Sequence, residues 1–320
     1  MTTPLRVTVV IPAYNAGRWI DDALASVAAQ TRPAHEVVVV DDGSTDDTAA
    51  RSRSWAGRMG TTRLIVFEGV RRGLSPSRNL AMMAGTGELF ALLDADDCFA
   101  PWHLERLVPA FETEPGLALV FADMTRFEDE TGDRELVLRK LHADLRRIST
   151  PIAGTSIQRL GPELREIYLR VSAIPPSSCI VTREAVVRGG LFDPASAYAE
   201  DLDFLWRILG TGPGAWHDGS TGRKREHGSN ASGPARAEWA EREVLRAVSR
   251  LRSFAPKLTP GEKEGLDWHL RSTLQTTEWL AAGHGIRRYF AWWREARRWT
   301  GRPVPIRPKQ LLRALLRWGR

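Results

Sequence analysis

A chain of 320 residues, 42% hydrophobic and 26% charged, can bury a full core as one large domain or two smaller ones, and its composition is that of a globular protein. No stretch of about 18 or more apolar residues occurs, the N-terminus lacks a signal-peptide layout, and the two cysteines, Cys98 and Cys179, exclude a disulfide framework or zinc-cluster spacing, so a reducing cytoplasm is expected. The net charge of +6 is unevenly placed: residues 286–320 hold eleven basic residues and one acid, Glu295, so the rest of the chain is net acidic and nucleic acid is not the expected partner.

Taken in chain order, "RVTVVIPAY" (6–14) reads as a buried strand and "WIDDALASVAAQ" (19–30) as a helix. "HEVVVVDDGST" (35–45) is a second strand, followed by a helix, "DDTAARSRSWAGRM" (46–59), whose start is rich in capping residues. "TRLIVFEG" (62–69) is a third strand, "SPSRNLAMMAG" (75–85) a short helix, and "GELFALLDADD" (87–97) a fourth strand. This alternation predicts an α/β fold with a doubly wound, mostly parallel sheet and flanking helices. A helix over 102–112 and a strand over 117–128 follow, and residues 130–172 read as polar and mostly helical, with a break at "STPIAGTS". "PPSSCIVTREAVVRGGLFD" (175–193) predicts a turn, a strand and a helix ending at Gly189-Gly190. "AYAEDLDFLWRILG" (197–210) is a helix, "GSTGRKREHGSNASG" (219–233) reads as a mobile loop, and from Pro234 the pattern is helical and rich in Arg and Trp. The expected division is 1–125, 126–233 and a helical extension over 234–320.

The strand ends carry the chemistry. Strand one ends at Pro12-Ala13-Tyr14-Asn15, strand two at Asp41-Asp42-Gly43-Ser44, and strand four at Asp94-Ala95-Asp96-Asp97. Ligands of open α/β sheets bind beyond such carboxyl ends. Three carboxylates in four positions repel one another and are costly to bury, so something positive must offset them. A polar turn is one reading of that cluster. A hard divalent cation held by oxygen ligands is the other. Asp41 and Asp42 could equally open a turn and cap the next helix, and Glu200-Asp201 could be an acidic first turn favoured by the helix dipole.

The ordered set "VVIPAYNAGRWIDDALASVAAQ", "VVVVDDGSTDDT", "GLSPSRNLAMMAGTGE", "LLDADD", "GLFD" and "AEDLDFLWRI" resembles the family 2 glycosyltransferases, over roughly residues 5–230. The resemblance implies a GT-A fold and inverting transfer of a sugar from a nucleotide-sugar donor. It implies that Asp94-Ala95-Asp96 is the DxD motif, with Asp96 the direct ligand of Mn2+ or Mg2+ and Asp94, Asp97 and His227 around it. It further implies that Pro12, Ala13, Tyr14, Asn15, Asp41 and Asp42 meet the nucleoside, and that Arg78, Asn79 and Arg225 meet the base or diphosphate. Asp201 would be the base that deprotonates the acceptor hydroxyl, with Glu200 beside it. Arg71 and Ser77 depart from the usual pattern, which leaves donor preference open, with UDP the default. The acceptor class implied is a glycan or a lipid-linked saccharide.

In the tail, Leu311, Leu312, Leu315, Leu316 and Trp318 share one helical face and Lys309, Arg313, Arg317 and Arg320 lie opposite. Two readings fit: a helix lying on an anionic membrane surface, which would make the protein peripheral, or an amphipathic helix packed on the body. Rival readings of the whole chain are a nucleotidyltransferase, a Mg-dependent phosphatase with Asp94 as nucleophile, and a non-catalytic binding protein that kept the fold.

Overall fold

The computed structural model describes residues 4–228, 230, 236–301 and 303–317, with the side chains of 254–256 left aside. Two compact units emerge, Met1–Tyr168 with Ser172–His227 and Leu169–Val171 with Gly228–Arg320.

The first unit opens with β1 (Val7–Ala13), α1 (Ile20–Ala28), β2 (Glu36–Asp41), α2 (Thr48–Ser54), β3 (Arg63–Glu68), α3 (Leu74–Ala84) and β4 (Leu89–Leu92), the alternation expected from sequence. Strands β1, β2 and β4 are buried along their whole length, and strands covered on both faces select the unbroken Val, Ile and Leu runs seen here. Continuing along the chain are β5 (Cys98–Phe99), α4 (His103–Thr113), β6 (Leu119–Glu128), β7 (Gly132–Leu136), α5 (His142–Arg147), β8 (Ser149–Pro151), β9 (Ile157–Leu160), α6 (Leu164–Val171), β10 (Cys179–Thr182), α7 (Arg183–Gly189), α8 (Glu200–Leu209) and β11 (Gly214–Arg225). All of these strands join one sheet, with the order β3-β2-β1-β4-β10-β6-β11-β9-β8, β5 on β11 and β7 on β6. Along that order all but β10 and β9 run in one direction, so the sheet is mixed but mostly parallel.

Register positions the site. Ala13 lies opposite Asp41, and Asp41 opposite Glu68, so β1, β2 and β3 end level. On the other side of β1, Val10 pairs with Leu92, a register that sets Ala95 level with Ala13 and Asp96 and Asp97 just past the end of β1.

Two sequence expectations need correction. Residues 130–172 are helical over less than half of their length, and the short strands β7, β8 and β9 interrupt them, held by pairing to β6, β11 and one another rather than by apolar periodicity. Residues 219–225 are not a mobile loop but the second half of β11, which runs parallel to β6 through Arg225↔Phe127. The glycines and serines that mimic a loop serve the pairing. The register with β6 shifts between His217 and Ser220 and again between Ser220 and Arg223. At Gly222 a Cβ would come 3.0 Å from the Cys98 carbonyl oxygen, so a side chain there would crowd the approach of β5 to β11. Residues 229 and 231–233 of that expected loop lie outside the described residues.

The second unit is helical, as expected: α9 (Ala237–Leu251), α10 (Pro260–Gly283), α11 (Ile286–Thr300) and α12 (Pro308–Leu316). A capping box starts α10, with the Thr259 hydroxyl accepting from the Glu262 N–H and the Glu262 carboxylate accepting from the Thr259 N–H, and Pro260 follows at the first helical position. The buried Glu278 of α10 accepts from the Tyr289 hydroxyl at 2.9 Å and pairs with Arg307 at 3.2 Å, tying α11 and the segment before α12 to α10.

Candidate active site

The acidic cluster at the end of β4 is offset group by group. Asp94 accepts from Arg78 Nη2 at 2.6 Å. Asp96 faces His227 Nε2 at 3.1 Å, and the His227 ring is stacked on Trp19 with centroids 4.0 Å apart. Asp97, fully buried, accepts from the Ser177 hydroxyl at 2.7 Å and the Arg225 N–H at 2.9 Å, with Lys224 Nζ 3.7 Å away. Burial, with the like charges of Asp96 and Asp94, pushes the Asp97 carboxyl up to about 7 against the pull of Lys224. For Asp96 burial works in the same direction, but His227 and Lys224 outweigh it and hold the carboxyl below its ordinary value.

One carboxylate oxygen from each of Asp94, Asp96 and Asp97 lies within 4.8 Å of the others. An all-oxygen set of this size suits Mg2+ or Mn2+. Asp94 and Asp96 are partly exposed, whereas Asp97 has its oxygens committed to Ser177 and the Arg225 N–H, so Asp97 supports the turn and the other two face outward.

Arg78 is the centre of the site. It is 1% exposed, and its guanidinium bridges Asp94 at the end of β4 and Glu200 Oε1, 2.5 Å away, at the start of α8, while lying over the Phe192 ring. Burial opposes its charge, but Asp94 and Glu200 outweigh burial and hold its pKa above the ordinary arginine value. Asn79, next on α3, exchanges two hydrogen bonds with the Phe192 backbone, 2.8 and 2.9 Å, and so fixes the chain that leads to α8. Immediately before Glu200, Ala199 adopts φ +55°, a left-handed conformation that costs a non-glycine residue about 1 kcal/mol or more.

Asp201 is partly buried, with its Oδ1 accepting from the Leu202 N–H at 3.0 Å and its carbonyl accepting from the buried Tyr168 hydroxyl. Burial first, then the neighbouring Glu200 charge, pushes its carboxyl up to about 7 against the opposing effect of Arg78. A carboxylate so placed is a competent proton acceptor near neutral pH.

At the ends of β1 and β2 the candidate nucleoside residues knit two loops together. Asn15, at φ +49°, takes a hydrogen bond from the Thr45 N–H on its Oδ1 and donates its own N–H to Ser44 Oγ, both 2.8 Å. Asp41 accepts from the Ser44 hydroxyl and the Ser44 N–H. Asp42 accepts from the Arg72 and Gly73 N–H groups, each at 2.8 Å, drawing the chain before α3 across the end of β2. Gly43 is required beneath it, since its φ is +77° and a Cβ would come 2.9 Å from the Arg71 nitrogen. Pro12 and Ala13 are buried, and Tyr14 is exposed under the Arg71 guanidinium, which lies 4.2 Å from its ring and donates to its hydroxyl. Arg225 is engaged throughout, with Nε on the Asp96 carbonyl at 3.0 Å, Nη2 on Asp22 at 2.6 Å and Nη1 on Asp129.

The structure thus brings Asp94, Asp96, Asp97, His227, Arg78, Glu200 and Asp201 into one connected network, with Asp41, Asp42 and Tyr14 on the neighbouring strand ends. Sequence reading missed Ser177, Lys224 and Trp19. Ser177 sits in an unremarkable "PPSS" turn, Lys224 lay inside the supposed loop, and Trp19 read as a helix residue.

Fold and strand-end acids together define a GT-A protein. The profile of "Glycosyl transferase family 2" matches residues 8–168, and the chain belongs to that family of glycosyltransferases. An uncharacterized glycosyltransferase of Nostoc sp. is 28% identical over 187 residues, 57% of this chain and 52% of that one. The succinoglycan biosynthesis protein ExoU of Rhizobium meliloti is 41% identical over 105 residues, 33% of this chain and 30% of its own. The chain therefore spans about half or less of the length of these two curated relatives. Among solved structures, S. aureus TarS 1–349 shares the fold with a TM-score of 0.55 at 17% identity, over 92% of this chain and 89% of that one. The mannosyltransferase PcManGT of Pyrobaculum calidifontis, in complex with GDP-Man and Mn2+, gives 0.55 at 20% identity, over 98% and 86%.

Proposed function

We propose that this glycosyltransferase works in the cytoplasm and moves a sugar, with inversion, from a nucleoside diphosphate sugar, by preference a UDP-sugar, to a hydroxyl of a glycan or lipid-linked saccharide. The observation that carries this reading is the Asp94–Arg78–Glu200 bridge, which joins the strand-end acids to the helix start bearing Asp201. Structural neighbours described with UDP-GlcNAc and with GDP-Man and Mn2+ support a nucleotide-sugar donor and a divalent cation.

Asp96, with Asp94 and His227, would hold Mg2+ or Mn2+. Such a cation, when bound, neutralises charge on a departing diphosphate. The protein's own groups do the rest. Tyr14 and the loop drawn in by Asp42 border the nucleoside, and Arg71, over Tyr14, adds a cation there. Asp201 takes the proton of the acceptor hydroxyl as its oxygen forms the new bond to the anomeric carbon. The bond from that carbon to the diphosphate oxygen breaks in the same displacement, releasing the nucleoside diphosphate. Glu200 is a positioning residue, holding Arg78 beside Asp94.

Asp96→Ala tests the metal assignment. Calorimetric affinity for UDP in the presence of Mn2+ is expected to fall at least about tenfold, toward the value measured with chelator, as second-site and ligand losses at metal centres do. An unchanged Mn2+-dependent affinity would remove Asp96 from the metal shell.

A further inference from the structure

We infer that the second unit docks on an anionic lipid bilayer through the outer face of α12 and the basic surface of α11. Sequence alone left two uses for the leucines of α12, and burial separates them. The helix meets its own unit through the opposite side. Ala314 is fully buried, the Arg313 guanidinium lies 4.0 Å from the Trp279 ring of α10, and Arg307 reaches Glu278. Leu312, Leu315 and Leu316 point outward, 58%, 41% and 78% exposed. Leaving three leucines on one short helix in water forgoes burial that an interfacial position would supply.

The same unit exposes two tryptophans on α10. Trp279 is 51% exposed beneath Arg313, and Trp268, eleven residues earlier and so on the same side of the helix, is 47% exposed. Exposed tryptophan beside leucine and arginine is the composition of a headgroup-level belt.

Charge selects the partner. Arg287, Arg288, Arg294 and Arg298 of α11 are exposed, as are Lys309 and Arg317 around α12. Among the described residues none of these six forms an ion pair with a carboxylate, and the one acid in residues 286–320, Glu295, pairs with Arg242. Exposed leucines on α12 together with unneutralised cations in the same unit complement a negatively charged bilayer, where each such cation adds to binding. No described helix is long and apolar enough to cross a membrane, so the unit lies on the surface. Trp318 and Arg320, which extend the pattern, and Arg302 lie outside the described residues.

Sedimentation of the full chain with vesicles of about one part phosphatidylglycerol to three parts phosphatidylcholine tests this, beside vesicles of phosphatidylcholine alone. Binding to the anionic vesicles, weakened by salt and reduced at least about tenfold in the doubly substituted Leu312→Asp/Leu316→Asp protein, is expected. Both positions are exposed, so melting temperature and nucleotide affinity of that variant stay at the parent values, which keeps this outcome separate from failure of the proposed donor site. Equal binding of parent and variant, or no preference for the anionic vesicles, would overturn the inference. So would a parent dimer in solution that the same substitutions dissociate, because the leucine face would then belong to a second copy.

Discussion

Asp201→Asn is expected to lower the transfer rate by about 10²–10⁴-fold while leaving metal-dependent nucleotide affinity near the parent value. The amide matches the carboxylate in shape and keeps an oxygen for the Leu202 N–H, so local structure should survive. What is lost is the ability to accept a proton. The pH profile of the parent enzyme should report the same group. With its carboxyl pushed up to about 7, Asp201 is protonated and inactive below that pH, so kcat/KM should rise with pH and level off above about 7. Turnover retained by the variant would dismiss Asp201 as the base. Loss of nucleotide affinity together with turnover would make its role structural.

Arg78→Met should destabilise the fold by about 3–5 kcal/mol, the range for removing one partner of a buried ion pair. Arg78 neutralises Glu200, which is 5% exposed, and the partly buried Asp94 on the other arm of its fork. Without it both carboxylates would lose the guanidinium that offsets them where water cannot replace it. Urea unfolding of variant and parent is the measurement. A deficit below about 1 kcal/mol would mean that Arg78 acts through packing on Phe192 alone. Arg78→Lys should recover part of the loss, since an ammonium meets one carboxylate well but lacks the planar fork that spans two.

β1, β2 and β4 were legible because each is buried along its whole length and therefore written in mostly apolar residues, and β3, which is only partly buried, because its Leu64–Phe67 run is apolar and favours a strand. β11 was not, because its content of Gly, Ser, Arg and Lys has no strand signature. Its conformation comes from partners far away in the chain, β6 on one side and β9 and β5 on the other. The same contrast holds at the site. The acids at positions 42, 94, 96, 97 and 201 stood out as residue types at strand and helix ends. Arg78 and His227 were named with them, but the pairing was not legible, since Arg78 meets partners 16 and 122 positions away. Arg225, which the resemblance places at the base or diphosphate, is held by Asp22, Asp129 and the Asp96 carbonyl, partners far away in the chain. The electrostatic difficulty of three neighbouring carboxylates is met by Arg78, His227 and Lys224, one beside each acid.

The most direct test of the central claim is product analysis after incubation with UDP-, dTDP- and GDP-sugars and Mn2+, with and without a saccharide acceptor. A glycosyltransferase acting by single displacement releases the free nucleoside diphosphate from one preferred donor and leaves the transferred sugar with inverted anomeric configuration, read by NMR. Release of a nucleoside monophosphate with a sugar 1-phosphate, or transfer with retained configuration, would contradict the account.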